Sequence, residues 1–201
     1  LRHRGHNSAG IVIERDDGTY KIHRDPGTIE RVFGGESLRR AEWHGHLGVI
    51  HLRYSTSGLN FQDPKAVEEA KRVAQPLKGL FRGKPFFISY NGNLTPDCIQ
   101  ELYQKFYRSE HQNPSQRDSR VDTELIVSAL EASDKPTFRE ALTDDVCQQL
   151  RGAFSLIFLY EHSLYAVRDT HGFRPLEFGR VQNGYAVSSE DNIFDDQKFS
   201  H

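Results

Sequence analysis

Three short segments concentrate side chains that can do chemistry. His51–Gly58 reads HLRYSTSG, Tyr90–Leu94 reads YNGNL, and Asp122-Thr123-Glu124 follows later. The guanidinium of Arg53 is a planar fork that suits a carboxylate; at a strand end it serves equally as half of a surface salt bridge. Thr56 offers a hydroxyl to such a carboxylate or to a turn. Asn91 and Gly92 offer an amide side chain and a backbone N–H, donors able to converge where negative charge develops. An isolated Asn-Gly pair is more often a turn. Asp122 can face an ammonium group, or cap the helix that follows it.

Other chemistries find less support. Two cysteines, Cys98 and Cys147, lie in predicted helices without a CxxC pattern and read as buried packing thiols, although Cys98 near a helix start could have a lowered pKa. The histidines are dispersed and show no HxxxH or other metal-ligand spacing, so no metal site is expected. Neither GxxxxGK[ST] nor GxGxxG occurs. Arg168, Asp169 and Arg174 read as turn-stabilising ion pairs.

The elements that must position these residues can be read from pattern. Gly10–Glu14 is apolar and β-branched, Asp16-Asp17-Gly18 is a turn signal, and Tyr20–Arg24 returns as a hairpin partner. Ser37–Trp43 suggests a short helix and Leu47–Leu52 a buried strand leading into Arg53. Asp63–Arg72, with Pro64 suited to a first helical turn, reads as an exposed helix or loop insertion. Pro85–Tyr90 is a strand that ends at Asn91-Gly92. Thr95-Pro96 caps a helix whose face carries Ile99, Leu102, Tyr103 and Phe106. Glu110–Ser119 is a polar loop. Helices follow over Val121–Ala132 and Phe138–Leu150, then strand-like runs at 153–160, 164–168, 176–181 and 185–189. Strands adjacent in sequence point to antiparallel sheets with helices packed on them, in one domain.

With 201 residues the chain fills one core. A formal charge of −2, with 26 Lys and Arg interleaved with acids, argues against a nucleic-acid binder. The longest strongly apolar run, 153–160, is too short to span a bilayer. No targeting signal is visible, and the cytoplasm is the default compartment. The chain has no Met and begins with Leu1, which reads as an internal cut.

Taken together, the segments resemble the glutaminase domain of class II, N-terminal-nucleophile glutamine amidotransferases of the amidophosphoribosyltransferase type. Arg2–Gly10, RHRGHNSAG, is similar to the family's "QHRGQDSAG"; His51–Gly58 to "HxRYSTxG"; Ala74–Leu77, AQPL, to "AQPF"; Tyr90–Leu94 to "HNGNL"; Asp122–Glu124 to "DTE". Arg168-Asp169, Gly172, Arg174-Pro175-Leu176 and Ser189-Glu190 are similar to "RDPxGxRPL" and "SE". Each motif alone is weak, but all occur in the family's order along nearly the whole chain. Glucosamine-6-phosphate synthase-like glutaminases read "RWATHG" and lack the RPL tract.

The resemblance implies an α+β, four-layer αββα fold with two mainly antiparallel sheets. It implies hydrolysis of L-glutamine to glutamate through a thioester, with no cofactor. The ammonia would pass to a fused or associated synthase domain, making 5-phosphoribosylamine from phosphoribosyl pyrophosphate in purine biosynthesis. A homo-oligomeric parent is expected. Arg53, with Thr56, would bind the substrate carboxylate and Asp122 its ammonium; Asn91 and Gly92 would form the oxyanion hole; Arg4 would help position the nucleophile. That nucleophile is the family's N-terminal cysteine, which neither Cys98 nor Cys147 replaces. The chain is thus expected to be incomplete at both ends, to lack the synthase domain, and to be inactive as it stands. A silent glutamine-binding module, or a glutaminase serving another acceptor, are the alternatives. Tyr90 stands where the family usually has His, and Leu59–Val73 is longer than the usual connection; it could cover the glutamine pocket or meet a partner domain.

Overall fold

The computed structural model describes residues 5–34, 43–54, 60–107, 121–181, 184–191 and 194. Among these residues three antiparallel sheets form. The first has the order β2-β1-β3, from β1 (Ser8–Glu14), β2 (Tyr20–Pro26) and β3 (Leu47–Arg53). The second runs β4-β5-β6-β7, from β4 (Leu77–Phe81), β5 (Lys84–Leu94), β6 (Gly152–Tyr160) and β7 (Ser163–Arg168). A small hairpin joins β8 (Glu177–Val181) and β9 (Gly184–Ser188). The helices are α1 (Ile29–Phe33), α2 (Pro64–Arg72), α3 (Pro96–Leu102), α4 (Asp122–Glu131) and the short α5 (Phe138–Glu140). A π-helical stretch follows α3 over Tyr103–Tyr107, and another follows α5 over Ala141–Cys147.

Strand alternation sets the layers, because successive side chains point to opposite faces. On β1, Ala9 and Ile11 pack with Phe33 of α1, while Val12 turns the other way to meet Val49, Phe87 and Leu159. On β5, Phe87 faces the first sheet, whereas Phe86, Ile88 and Tyr90 join Leu125, Ile126 and Leu130 of α4. The order is therefore α1, first sheet, second sheet, then α3, α4 and α5, the expected αββα arrangement. The largest apolar cluster lies between the second sheet and its helices. Phe138 is its hub: its ring stacks on Tyr160 at 4.5 Å and meets Phe81, Phe86, Phe158 and Tyr165 within 5.8 Å.

Local signals explain several of these elements. Asp63 caps α2 by accepting from Lys65 N at 2.9 Å, with Pro64 beginning the helix. Thr95 caps α3 in the same way, again with proline next. Thr137 and Glu140 form a reciprocal capping box on α5.

Other expectations need correction. Asn91-Gly92 is no turn. Both residues lie inside β5, opposite Ser155 and Phe154 of β6. Gly92 is required by proximity: a Cβ there would overlap the carbonyl oxygen of Ala153. Nor is β3 a buried strand; it forms an edge of its sheet, and Ile50 is 55% exposed. The segment expected as one helix from Phe138 continues from α5 as a π-helix, yet Phe138, Leu142, Val146 and Leu150 are all buried as the periodicity required. The short helix expected at Ser37–Trp43 falls almost wholly outside the described residues, as does the loop at Glu110–Ser119.

The turn after β7 also differs in kind. Arg168 does not pair with an acid among the described residues; its guanidinium donates to the carbonyls of Gly172 (2.8 Å) and Arg174 (2.9 Å). Asp169 instead accepts from four backbone amides, those of Phe154, His171, Phe173 and Arg174. Burial opposes its charge, but these four donors prevail and hold the carboxyl below its usual range.

Two outcomes follow from this packing. Phe138→Ala should cost about 3–5 kcal/mol by removing a ring from the centre of five others, measured by urea unfolding. His51, on the inter-sheet face of β3, has its imidazole pushed down to about 4, first by burial and then by the charge of Arg53. The folded state thus resists a proton that the unfolded chain accepts near pH 6.5. Stability should fall as pH drops from about 6.5 to 4, and His51→Gln should remove that part of the slope. An unchanged slope in the variant would refute the assignment.

Candidate functional site

The two facing sheets share an orientation that gathers the candidate residues. Glu14, at one end of β1, contacts His162 in the turn after β6. The opposite end of β1, at Ser8, pairs with Arg53 of β3. In the second sheet, Tyr160 lies at the His162 end and the Asn91–Leu94 segment at the other. Arg53 and Asn91 therefore occupy the same end of the two sheets. Alternation from Val49 and from Phe87 turns both side chains toward the space between the sheets.

Arg53 is half-buried, and burial holds its pKa below the ordinary guanidinium value, opposed by the field of Glu69. It has no hydrogen-bond or ion-pair partner among the described residues. A guanidinium withdrawn from water without a carboxylate is poised to take one.

Asp122 is the first residue of α4, but it does not cap that helix. Val121 holds the cap position, without a side-chain bond. The Asp122 carboxylate reaches sideways to β5: its Oδ2 accepts from the Tyr90 hydroxyl at 2.7 Å and from Leu94 N at 2.9 Å. No described residue hydrogen-bonds its Oδ1. The alternative capping role is thus replaced by a bridge from helix to strand. The substitution of Tyr90 for the family's His has a physical counterpart here. The phenol is buried, and burial together with the Asp122 charge raises its pKa far above the ordinary range. It remains a proton donor to the carboxylate at all physiological pH.

Sequence reading assigned no role to Gln75, which turns out to organise the site. Its buried side chain accepts from Tyr90 N at 2.6 Å and donates to Thr123 Oγ1 at 3.3 Å. Its backbone carbonyl lies so close to β1 that only glycine fits at Gly10. The signal was the AQPL motif itself. Asn93 was also missed: with its amide oriented to satisfy both ends, it donates to the Gly92 carbonyl and accepts from Arg174. Arg174 thereby belongs to the neighbourhood of Asn91-Gly92 as well as to a turn.

A line of charges connects the Arg53 side to the start of α4. Arg72 of α2 binds Glu69 through two nitrogens and also pairs with Glu124, two residues beyond Asp122. Arg24 of β2 donates to the Ala74 carbonyl. The long Leu59–Val73 connection thus supplies a helix, α2, that packs beside β2 and is tied to α4.

Thr56 and Arg4, expected near Arg53 and the nucleophile, lie outside the described residues. A concavity lined by His23, Asp25, Arg31, Phe61 and Val67 is separate from Arg53, Asn91, Gly92 and Asp122. Cys98 is buried in the helical layer. Its thiol donates to the Gln149 carbonyl at 3.3 Å and accepts from Arg151 N. Burial raises its pKa, contrary to the lowering that a helix start suggested, and burial likewise raises that of Cys147. Neither thiol is an activated nucleophile.

Comparison with known proteins gives the family. The family model described as a glutamine amidotransferase domain matches residues 65–196. Amidophosphoribosyltransferase 2, chloroplastic, of Arabidopsis thaliana is 34% identical over 188 residues, covering 93% of this chain and 30% of the relative. The amidophosphoribosyltransferase of Synechococcus elongatus is 33% identical over 196 residues, covering 94% of this chain and 36% of the relative. Among solved structures, glutamine phosphoribosylpyrophosphate amidotransferase from B. subtilis, complexed with ADP and GMP, superposes with a TM-score of 0.75 at 26% identity. That match covers 97% of this chain and 38% of the other. The chain therefore spans about a third of the length of these relatives. Among the described residues no helix is long and apolar enough to cross a membrane. On the match of more than half its length, the chain belongs to the family of glutamine amidotransferase domains.

Proposed function

We propose that this domain binds L-glutamine between Arg53 and Asp122 and, joined to an N-terminal cysteine in its parent protein, hydrolyses it to glutamate and ammonia. The observation that carries the reading is the half-buried guanidinium of Arg53, without a described partner, at the same end of the sheets as Asn91. Asp122 supports it from the other side, with one carboxylate oxygen anchored and the other without a described hydrogen bond. Opposite charges held apart in this way select a zwitterionic amino acid by both of its charged groups.

In the proposed reaction the cysteine sulfur attacks the side-chain carbonyl of glutamine, and negative charge moves onto its oxygen. Asn91 and Gly92 donate to that oxygen. The tetrahedral species collapses with cleavage of C–N, ammonia leaves with a proton carried by the cysteine α-amine, and water then hydrolyses the thioester. A resident thiol, an amine and fixed donors suffice, so the reaction needs no cofactor. Thr56 adds a hydroxyl to the carboxylate pocket, and Arg4 orients the nucleophile. The names of the relatives support passage of the ammonia to a phosphoribosyltransferase domain, yielding 5-phosphoribosylamine for purine biosynthesis. Because chemistry depends on the partner joined to a fold, another acceptor is the competing assignment.

Calorimetric titration of the chain tests the pocket. L-Glutamine should bind, and analogues lacking either the α-carboxylate or the α-amine should bind at least about tenfold more weakly, a loss of about 1.4 kcal/mol. Asp122→Asn keeps acceptors for Tyr90 and Leu94 while removing the charge, and should cause a similar loss with little change in folding. Arg53→Lys should do the same, because an ammonium cannot reproduce the fork. Equal affinity of both variants for L-glutamine would exclude the assignment. The catalytic half is tested by mass spectrometry of the mature natural protein: an N-terminal cysteine with a free amine supports hydrolysis, and its absence leaves a silent binding module.

A further inference from the structure

The end of β1 away from Arg53 holds a second convergence of reactive side chains. Glu14 closes the strand with its side chain only 1% exposed, on the same face as Val12 and therefore between the sheets. Its Oε1 accepts from the Tyr20 hydroxyl at 3.2 Å and lies 2.8 Å from His162 Nδ1. Its Oε2 is buried and makes no hydrogen bond; His46 Nε2 lies 3.7 Å from it. A carboxylate oxygen left buried and unbonded is costly and calls for an explanation.

The surroundings supply one. One ligand atom from each of Glu14, His46 and His162 falls within 4.8 Å of the others. The two imidazole rings are 5.8 Å apart. Asp16 Oδ1 stands 3.4 Å from His46 Nδ1, the arrangement in which a carboxylate holds one ring nitrogen as N–H and leaves Nε2 bare toward Glu14. Tyr20 holds the other Glu14 oxygen in place. Gly45 lets the His46 backbone approach, since a Cβ at Gly45 would overlap the Glu14 carbonyl oxygen that accepts from His46 N.

We propose that Glu14, His46 and His162 form a site for a divalent transition metal of the zinc type. Two imidazoles and one carboxylate are a donor set suited to Zn²⁺, with a fourth position left to water. Zinc bound at about 2.1 Å keeps tetrahedral donors roughly 3.4 Å apart. Closure from the present spacing falls to the two histidines, whose side chains are 41% and 69% exposed, while buried Glu14 is the fixed anchor. The ligands come from the end of β1, the segment before β3, and the β6–β7 turn. An ion there joins the two sheets covalently in effect, at the end opposite the glutamine pocket. Six residue steps along β1 separate Glu14 from Ser8, roughly 20 Å, so the role is structural and separate from glutamine chemistry.

The test uses the whole chain, freed of metal by chelator and then titrated with ZnCl₂ or CoCl₂. One equivalent should bind at micromolar concentration or tighter, Co²⁺ should give visible d–d absorption of low coordination number, and zinc should raise Tm. His46→Gln and His162→Asn lie at exposed positions, and Asn tolerates the positive φ of residue 162. Each should weaken binding at least tenfold while leaving the L-glutamine titration unchanged. Absence of stoichiometric binding, or full affinity in the double variant, overturns the proposal. Destabilisation by His162→Asn without metal binding by the wild type also overturns it, leaving only a histidine–carboxylate ion pair.

Discussion

The side-chain amide of Gln75 is the interaction on which the rest of the site depends. It accepts from the backbone of β5 and donates to α4, while its main-chain carbonyl presses against Gly10 of β1. A buried amide has fixed donor and acceptor ends, so it sets direction as well as distance. Through it the two sheets and the helical layer are registered against one another beside Tyr90 and the start of α4. Apolar packing alone would hold the layers together, but it would not fix how far one slides over the next.

Once this registration is set, the charges find their places by short covalent steps. Tyr90 follows from the Gln75 contact, and its hydroxyl delivers Asp122. Glu124, in the same first turn of α4, meets Arg72, which in turn holds Glu69 in the field of Arg53. The site thus has an acidic wall fastened by hydrogen bonds and a basic wall without a described partner of its own. In the proposed reading that asymmetry makes it receptive, since a fully paired cluster would have no reason to exchange its partner for a ligand.

Much of this was legible in the sequence where one residue type had one physical use. Asp63-Pro64 and Thr95-Pro96 marked helix starts because caps and proline are local devices. The apolar spacing of Phe138, Leu142, Val146 and Leu150 identified a buried face even though the backbone there is π-helical, since the burial pattern survives a small change in winding. The strand β4 went unread because Gly79 weakens its pattern; the residue is glycine to admit the ring of Phe86, a tertiary reason. The short α1 was missed too, its capping residue Thr28 being a weak signal on its own. Asn91-Gly92 was read as the end of its strand for the opposite cause: it carries a strong turn signature, and the approach of β6 carries the strand on to Leu94. Arg53, Asn91, Gly92 and Asp122 came from ordered motifs, whereas the meeting of Glu14, His46 and His162 depends on three segments distant in sequence and left no spacing to read.

The placement of Asn91 within a paired strand has a consequence for how this domain can change over time. In a loop, gaining or losing one residue near a donor is often absorbed. In β5, a single insertion or deletion between Phe86 and Asn91 would exchange the two faces of everything beyond it. Asn91 would turn to the helices and Tyr90 would lose Asp122 at the same stroke. The segment can therefore drift by substitution but scarcely by length, and variation in length is confined to connections such as the one that carries α2.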